Sequence, residues 1–195
     1  MPEKPPSTAR LEAFSDGVIA VIITIMVLEL KVPSQNGARG LYALVPILLI
    51  YLLSFAFIAI YWVNHQHLLD RIRHADRVVL YANFTFLFFL SLLPFSTSYV
   101  LEKEMDAFAT SAYAILMLVI GLSFFLLRLA IHRNLKGSGQ LEPADTAEKV
   151  KHVTSLGLFV VSIPLAHVSP RLALILIALV TFIWIVPDLA IRNRH

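Results

Sequence analysis

Phe14-Ser-Asp-Gly-Val-Ile-Ala-Val-Ile-Ile-Thr-Ile-Met-Val-Leu-Glu-Leu30 is the stretch on which the fold turns. Between Asp16 and Glu29 run 12 uncharged residues, about 18 Å as helix, against the roughly 30 Å of a bilayer's hydrocarbon core. The segment is too apolar for a loop, yet its charged ends lie too close together for an ordinary lipid-facing span. Protein or water must shield those ends. At about 100° per residue, Val21, Thr24, Ile25 and Leu28 fall in one stripe at i, i+3, i+4 and i+7, with Gly17 on the same side. Ser15 and Asp16 project to the flanks of that stripe. Periodicity alone favours helix packing for such a stripe, and a pore lining requires a second argument.

Five further apolar segments follow: Leu41 to Val63, Val78 to Val100, Phe108 to Ala130, Val153 to His167 and Arg171 to Ile191. Of the 195 residues 58% are hydrophobic and only 15% charged, where soluble domains carry about 25%. The mean hydropathy is +0.76. These features predict an all-α integral membrane protein with six transmembrane helices and a single domain over residues 1–195. Polar and turn-forming residues separate the segments at Pro33 to Gly40, Gly137 to Pro143 and Ser169-Pro170. The fifth segment is the shortest and contains Pro164, so a five-span count, with the last two segments forming one broken element, stays open. The head of the chain, Met1 to Arg10, has no cleavage signature after it and reads as uncleaved. There are no cysteines, which excludes disulfides and thiolate chemistry.

Topology follows from Lys and Arg. With a cytoplasmic N-terminus, Lys4, Arg10, Arg71, Arg73, Arg77, Arg128, Arg133, Lys136, Lys149, Lys151, Arg192 and Arg194 lie inside, and only Lys31, Arg39, Lys103 and Arg171 outside. The bias predicts both termini cytoplasmic and an even number of crossings, with Glu102, Glu104 and Asp106 in an outside loop. The net charge of +3 is explained by this topology; no aromatic-basic platform points to nucleic acid.

Polar residues at membrane depth need partners. Ser15 and Asp16, the run Tyr61-Trp62-Val63-Asn64-His65-Gln66-His67, and Asn83 all fall near the cytoplasmic end, which predicts a network joining the first three helices. Arg10 and Asp16 are six residues apart and do not face each other, so each is expected to bind another helix. The simpler reading makes Trp62 an interfacial anchor and His65 and His67 solvated. His65 and His67 diverge at i, i+2, no third ligand accompanies them, and neither a metal site nor a cofactor is expected.

Arg10-Leu-Glu-Ala-Phe14-Ser15-Asp16 resembles the R-x-x-x-F-S-D opening of the transmembrane protein 175 family of potassium channels, bacterial branch. The resemblance continues through Tyr61-Trp62 with His65, and through Asn83 to Ser91-Leu-Leu-Pro94-Phe95-Ser-Thr97. It covers the first three spans by motif and the last three by hydropathy alone. What it implies is a homotetramer whose first helices line a central pathway for potassium ions, in contact with membrane lipids, multi-pass in a bacterial inner (plasma) membrane. It implies an apolar constriction at Val21, Ile25 and Leu28 with a hydroxyl layer at Thr24, the stripe already found by periodicity. It also implies a structural network of Arg10, Phe14, Ser15, Asp16, Trp62, Asn64, His65 and Asn83. The family's innermost ring is commonly Ile or Leu; Val21 is a methylene shorter and widens it.

The expected function is therefore a potassium-permeable cation channel. It has no T-V-G-Y-G filter and holds potassium only in transit. Two rivals stay open, a proton-coupled secondary transporter using the intramembrane Asp and His, and a non-conducting membrane scaffold. An enzyme is not expected, because no nucleophile elbow, zinc motif or phosphate loop occurs.

Overall fold

Helices begin and end here where capping and proline chemistry dictate, and charge does not stop them. The computed structural model describes residues 8–31, 37–137 and 146–185. The chain head before Thr8, most of the first loop, the loop residues 138–143, the end of the sixth segment at Ile191 with Pro187, and the charges Lys4, Arg192 and Arg194 lie outside the described residues. In order, the elements are α1 (Thr8–Leu28), α2 (Gly37–Leu69), α3 (Arg77–Ser91), α4 (Leu93–Glu102), α5 (Ala107–Gly137), α6 (Thr146–Val168) and α7 (Pro170–Ile185). Among the described residues five stretches are long and apolar enough to cross a bilayer: α1, α2, α3 with α4 (Arg77–Glu102), α5, and Lys149–Val168 of α6. The sixth apolar helix, α7, is shorter.

The third predicted segment is not one helix. Pro94 has no N–H to give, and its ring crowds the carbonyl of Leu90, so the chain breaks at Leu92 and restarts with proline in the first turn of α4. Upstream, Asp76 caps α3 by accepting from the Val79 N–H at 2.8 Å, and Asp106 caps α5 through the Ala109 N–H at 2.6 Å. Helix α2 runs on through Asn64 to Leu69, and α5 through Arg128 and His132. A helix satisfies its own backbone on either side of the headgroups, so polarity alone does not end it.

Helix α5 is the centre of the fold, packing against α3, α4, α6 and α7. Its Tyr113, Met117, Ile120 and Leu127 are fully buried. Ser54 of α2 lies 2.8 Å from both Thr97 of α4 and Tyr113 of α5. Thr97 donates to the Leu93 carbonyl and Ser54 to the Ile50 carbonyl at 3.1 Å, so Ser54 is left to accept from Tyr113. Gly121 lets α2 and α6 approach α5: a Cβ there would meet Leu156 at 2.8 Å and the Tyr61 hydroxyl at 3.2 Å. Trp184 Nε1 donates to Ser155 Oγ at 2.8 Å, and these residues lie nearly equal distances from Ser169, so α7 folds back along α6. The last two segments are thus an antiparallel pair, not one interrupted element.

Helix α1 packs against α2, α3 and α4. Beyond its end, Lys31 forms an exposed ion pair with Glu102 at the end of α4. The hydrogen bond to Lys31 holds the Glu102 carboxyl below its ordinary range, and the reciprocal bond raises Lys31. Because the carboxyl's folded value is depressed, the pair stabilises above the ordinary carboxylate range and is lost as pH falls through the depressed value. The lysine side is lost only as pH rises through its raised value. Thermal melting should therefore show Glu102→Gln slightly below wild type at neutral pH and equal to it in acid, with the gap shrinking in high salt.

The α4–α5 turn places Glu104 (φ 50°) and Met105 (φ 57°) in the left-handed region. Met105 N–H reaches the Val100 carbonyl at 2.8 Å and Glu104 N–H the Leu101 carbonyl at 3.2 Å, the paired bonds of a Schellman cap whose preferred residue is glycine. Melting should find Glu104→Gly neutral to stabilising and Glu104→Val destabilising by about 1–2 kcal/mol, since a β-branched residue fits that conformation worst.

Candidate functional site

The two faces of α1 have different fates. Leu11, Ser15, Ile19, Ile22 and Met26 form the buried face, turned toward the chain's other helices. Val21, Thr24, Ile25 and Leu28 are left uncovered, Leu28 at 81% exposure, and a Cβ on Gly17 would meet nothing within 4 Å. The uncovered stripe from Val21 to Leu28 is about 10 Å long. Thr24 Oγ1 donates its proton to the Val21 carbonyl at 2.8 Å, so the oxygen lone pairs are what the hydroxyl presents outward.

Behind Phe14, Ser15 and Asp16 lies the polar network. Trp62 Nε1 donates to Asp16 Oδ1 at 2.9 Å. One turn further along α2, His65 Nε2 sits 2.6 Å from Asn83 Oδ1 on α3, and Asn83 Nδ2 donates to Ser15 Oγ at 3.0 Å. Ser15 passes its own proton to the Leu11 carbonyl at 2.8 Å. With the Asn83 amide nitrogen donating to Ser15, its oxygen must accept, which assigns the His65 proton to Nε2. Ser15, His65 and Asn83 are fully buried. The His65 ring stacks on Phe86 at 5.8 Å, and Phe14 meets Phe84 edge-on at 5.7 Å.

Two expected members lie elsewhere. Asn64 Nδ2 donates to the Ile60 carbonyl of its own helix at 2.8 Å and borders a small cavity, about 20 Å³, between α2, α5, α6 and α7. Arg10 is exposed and makes no hydrogen bond or ion pair among the described residues; spaced seven residues before Gly17, it shares the uncovered face of α1. Among the described residues no group of three His, Asp or Glu could hold a metal ion.

Sequence reasoning passed over a second polar cluster. His152, buried on α6, reaches the Gly121 carbonyl through Nε2 at 3.1 Å, stacks on Phe125 at 5.4 Å and meets Trp184 edge-on. The available signal was the pair His152 and Ser155, one helical turn apart at the start of the fifth apolar segment. Phe84, the partner of Phe14, carried no signal beyond its place next to Asn83.

A family model described as the endosomal/lysosomal potassium channel TMEM175 matches residues 10–94, which span α1 to the start of α4. A potassium channel of Chryseobacterium sp. strain P1-3 is 36% identical over 184 residues, 94% of this chain and 95% of that one. A potassium channel of Streptomyces collinus is 32% identical over 182 residues, 86% of each chain. The crystal structure of a lysosomal potassium-selective channel TMEM175 homolog from Chamaesiphon minutus superposes with a TM-score of 0.78 at 29% identity, covering 96% of this chain and 98% of that one. The buried Ser15–Asn83–His65 junction falls within the matched residues, and the likeness to bacterial channels extends over nearly the whole chain. This multi-pass membrane protein belongs to the TMEM175 family, a family of ion channels and not of enzymes.

Proposed function

We propose that the chain is a potassium-permeable cation channel of a bacterial inner membrane, six crossings to a subunit with both termini cytoplasmic, assembled as a homotetramer around four copies of α1. The observation that carries this reading is the two-sidedness of α1. One face is buried and pinned by hydrogen bonds, while an equally apolar stripe is left for something outside the subunit. Four copies of Val21, Ile25 and Leu28 would make stacked apolar rings that close by narrowing and dewetting. The Thr24 oxygens between them offer lone pairs to a partly dehydrated cation. Arg10, on the same face, points its charge toward neighbouring subunits at the cytoplasmic mouth. The relatives named potassium channels support the choice of ion.

In this reading the Ser15, Asp16, Trp62, His65 and Asn83 network positions α1 and does not touch the ion. Asn83→Ala leaves His65 Nε2 unpartnered and Ser15 Oγ short of a donor, costing about 1–3 kcal/mol. Gel filtration in detergent should accordingly show loss of assembled protein for Asn83→Ala and Asp16→Ala. Normal oligomers of Asp16→Ala with only an altered ion preference would overturn the positioning role.

The conduction test is the reversal potential of protein reconstituted in planar bilayers under opposed potassium and sodium gradients. Wild type should carry a cation current reversing toward the potassium potential. Val21→Ala and Leu28→Ala should assemble normally and conduct more. No current from a confirmed oligomer in all three proteins would favour proton-coupled transport or a scaffold.

A further inference from the structure

At the basic end of the bundle, α2, α5 and α6 diverge to leave a cleft of about 130 Å³, and no residue of α1 lines it. Arg71 stands just beyond α2, Arg128 and His132 lie one turn apart in the last third of α5, and Lys149 belongs to the first turns of α6. Leu68 and Phe125 belong to its apolar wall. Among the described lining residues none is acidic. Topology asks only that basic residues lie on one side of the membrane; it does not ask that three helices bring them to one cleft above an apolar wall. Cations over hydrocarbon match the shape of an anionic phospholipid, with phosphate among the basic groups and acyl carbons along Leu68 and Phe125. Basic recesses between helices at the headgroup level bind such lipids. Arg128 and Arg71 present planar donors suited to phosphate oxygens, while Lys149 contributes a point charge from the facing helix.

We propose that this cleft is a binding site for the headgroup of an anionic phospholipid. The bound lipid bridges α5 to α2 and to the start of α6.

The experiment is native mass spectrometry of the purified full chain, titrated with dioleoylphosphatidylglycerol and, separately, with dioleoylphosphatidylcholine. Wild type should retain phosphatidylglycerol and not phosphatidylcholine. Arg71→Gln with Lys149→Gln should weaken that binding about 30-fold, which is about 2 kcal/mol at about 1.4 kcal/mol per tenfold. Arg133→Gln with Lys136→Gln removes the same charge from α5 outside the cleft and should leave binding unchanged. Lys149→Glu alone, at an exposed position, serves as the second variant if the double substitution does not fold, and should also lose the lipid. Equal loss from both double variants would reduce the effect to general surface charge and overturn the proposal. So would indifference between the two lipids, or displacement of the lipid by millimolar inorganic phosphate, which would make the site one for free phosphate.

Discussion

A polar group inside hydrocarbon must find its partner within the protein, and in this chain that requirement is concentrated on the amide of Asn83. Its two ends face different helices, one the imidazole of α2 and the other the hydroxyl of α1. With the Asn83 amide as placed, the bonds run in one direction: His65 donates to Asn83, Asn83 to Ser15, Ser15 to the Leu11 carbonyl. The seat of α1 is therefore fixed by hydrogen bonds to two other helices as much as by packing.

Packing by itself could not fix it. Helix α1 is apolar nearly all round, with Ile19, Ile22 and Met26 on the buried side and Val21, Ile25 and Leu28 on the other. Rotating it by half a turn would bury a similar apolar area, and the hydrophobic term would scarcely change. It is Ser15 and Asp16 that break this near-degeneracy. Two polar residues in the first half of the helix decide which apolar stripe faces inward and, in consequence, which is left uncovered.

The apolar segments, the special status of the first helix and the partnership of Ser15, Asp16, Trp62, His65 and Asn83 were all legible before the fold was seen, because membrane depth makes polar residues conspicuous. Other features were not. Asn64 and His65 are adjacent and equally polar, yet only the 3.6-residue turn set by α2's seating sends one to α3 and leaves the other on its own helix. The break at Leu92 was hidden because hydropathy is continuous across Pro94. The extensions of α2 and α5 were missed because an apolar window ends at the first charges while the helix does not. The antiparallel pairing of α6 with α7 rests on Ser155 and Trp184, a contact between helices that no periodicity announces. Arg10 was expected to bind another helix, yet it lies on the uncovered face of α1, a consequence of how Ser15 and Asp16 seat that helix.

The attachments of α1 differ in kind along its length, beginning with Thr8 Oγ1, which donates to the Arg73 carbonyl at 2.7 Å, and the difference has a mechanical meaning. At Ser15 and Asp16 the helix is tied by hydrogen bonds from Asn83, which is shut off from water, and from Trp62. At Lys31 it is tied by an exposed ion pair that salt screens. The tie at Ser15 and Asp16 behaves as a pivot and the ion pair as a weak latch. Swinging about the pivot, Leu28 stands about 18 Å out along the helix and Val21 about 8 Å. Any tilt therefore carries Leu28 through more than twice the arc of Val21, so that displacement grows steadily toward the Lys31 end of the helix.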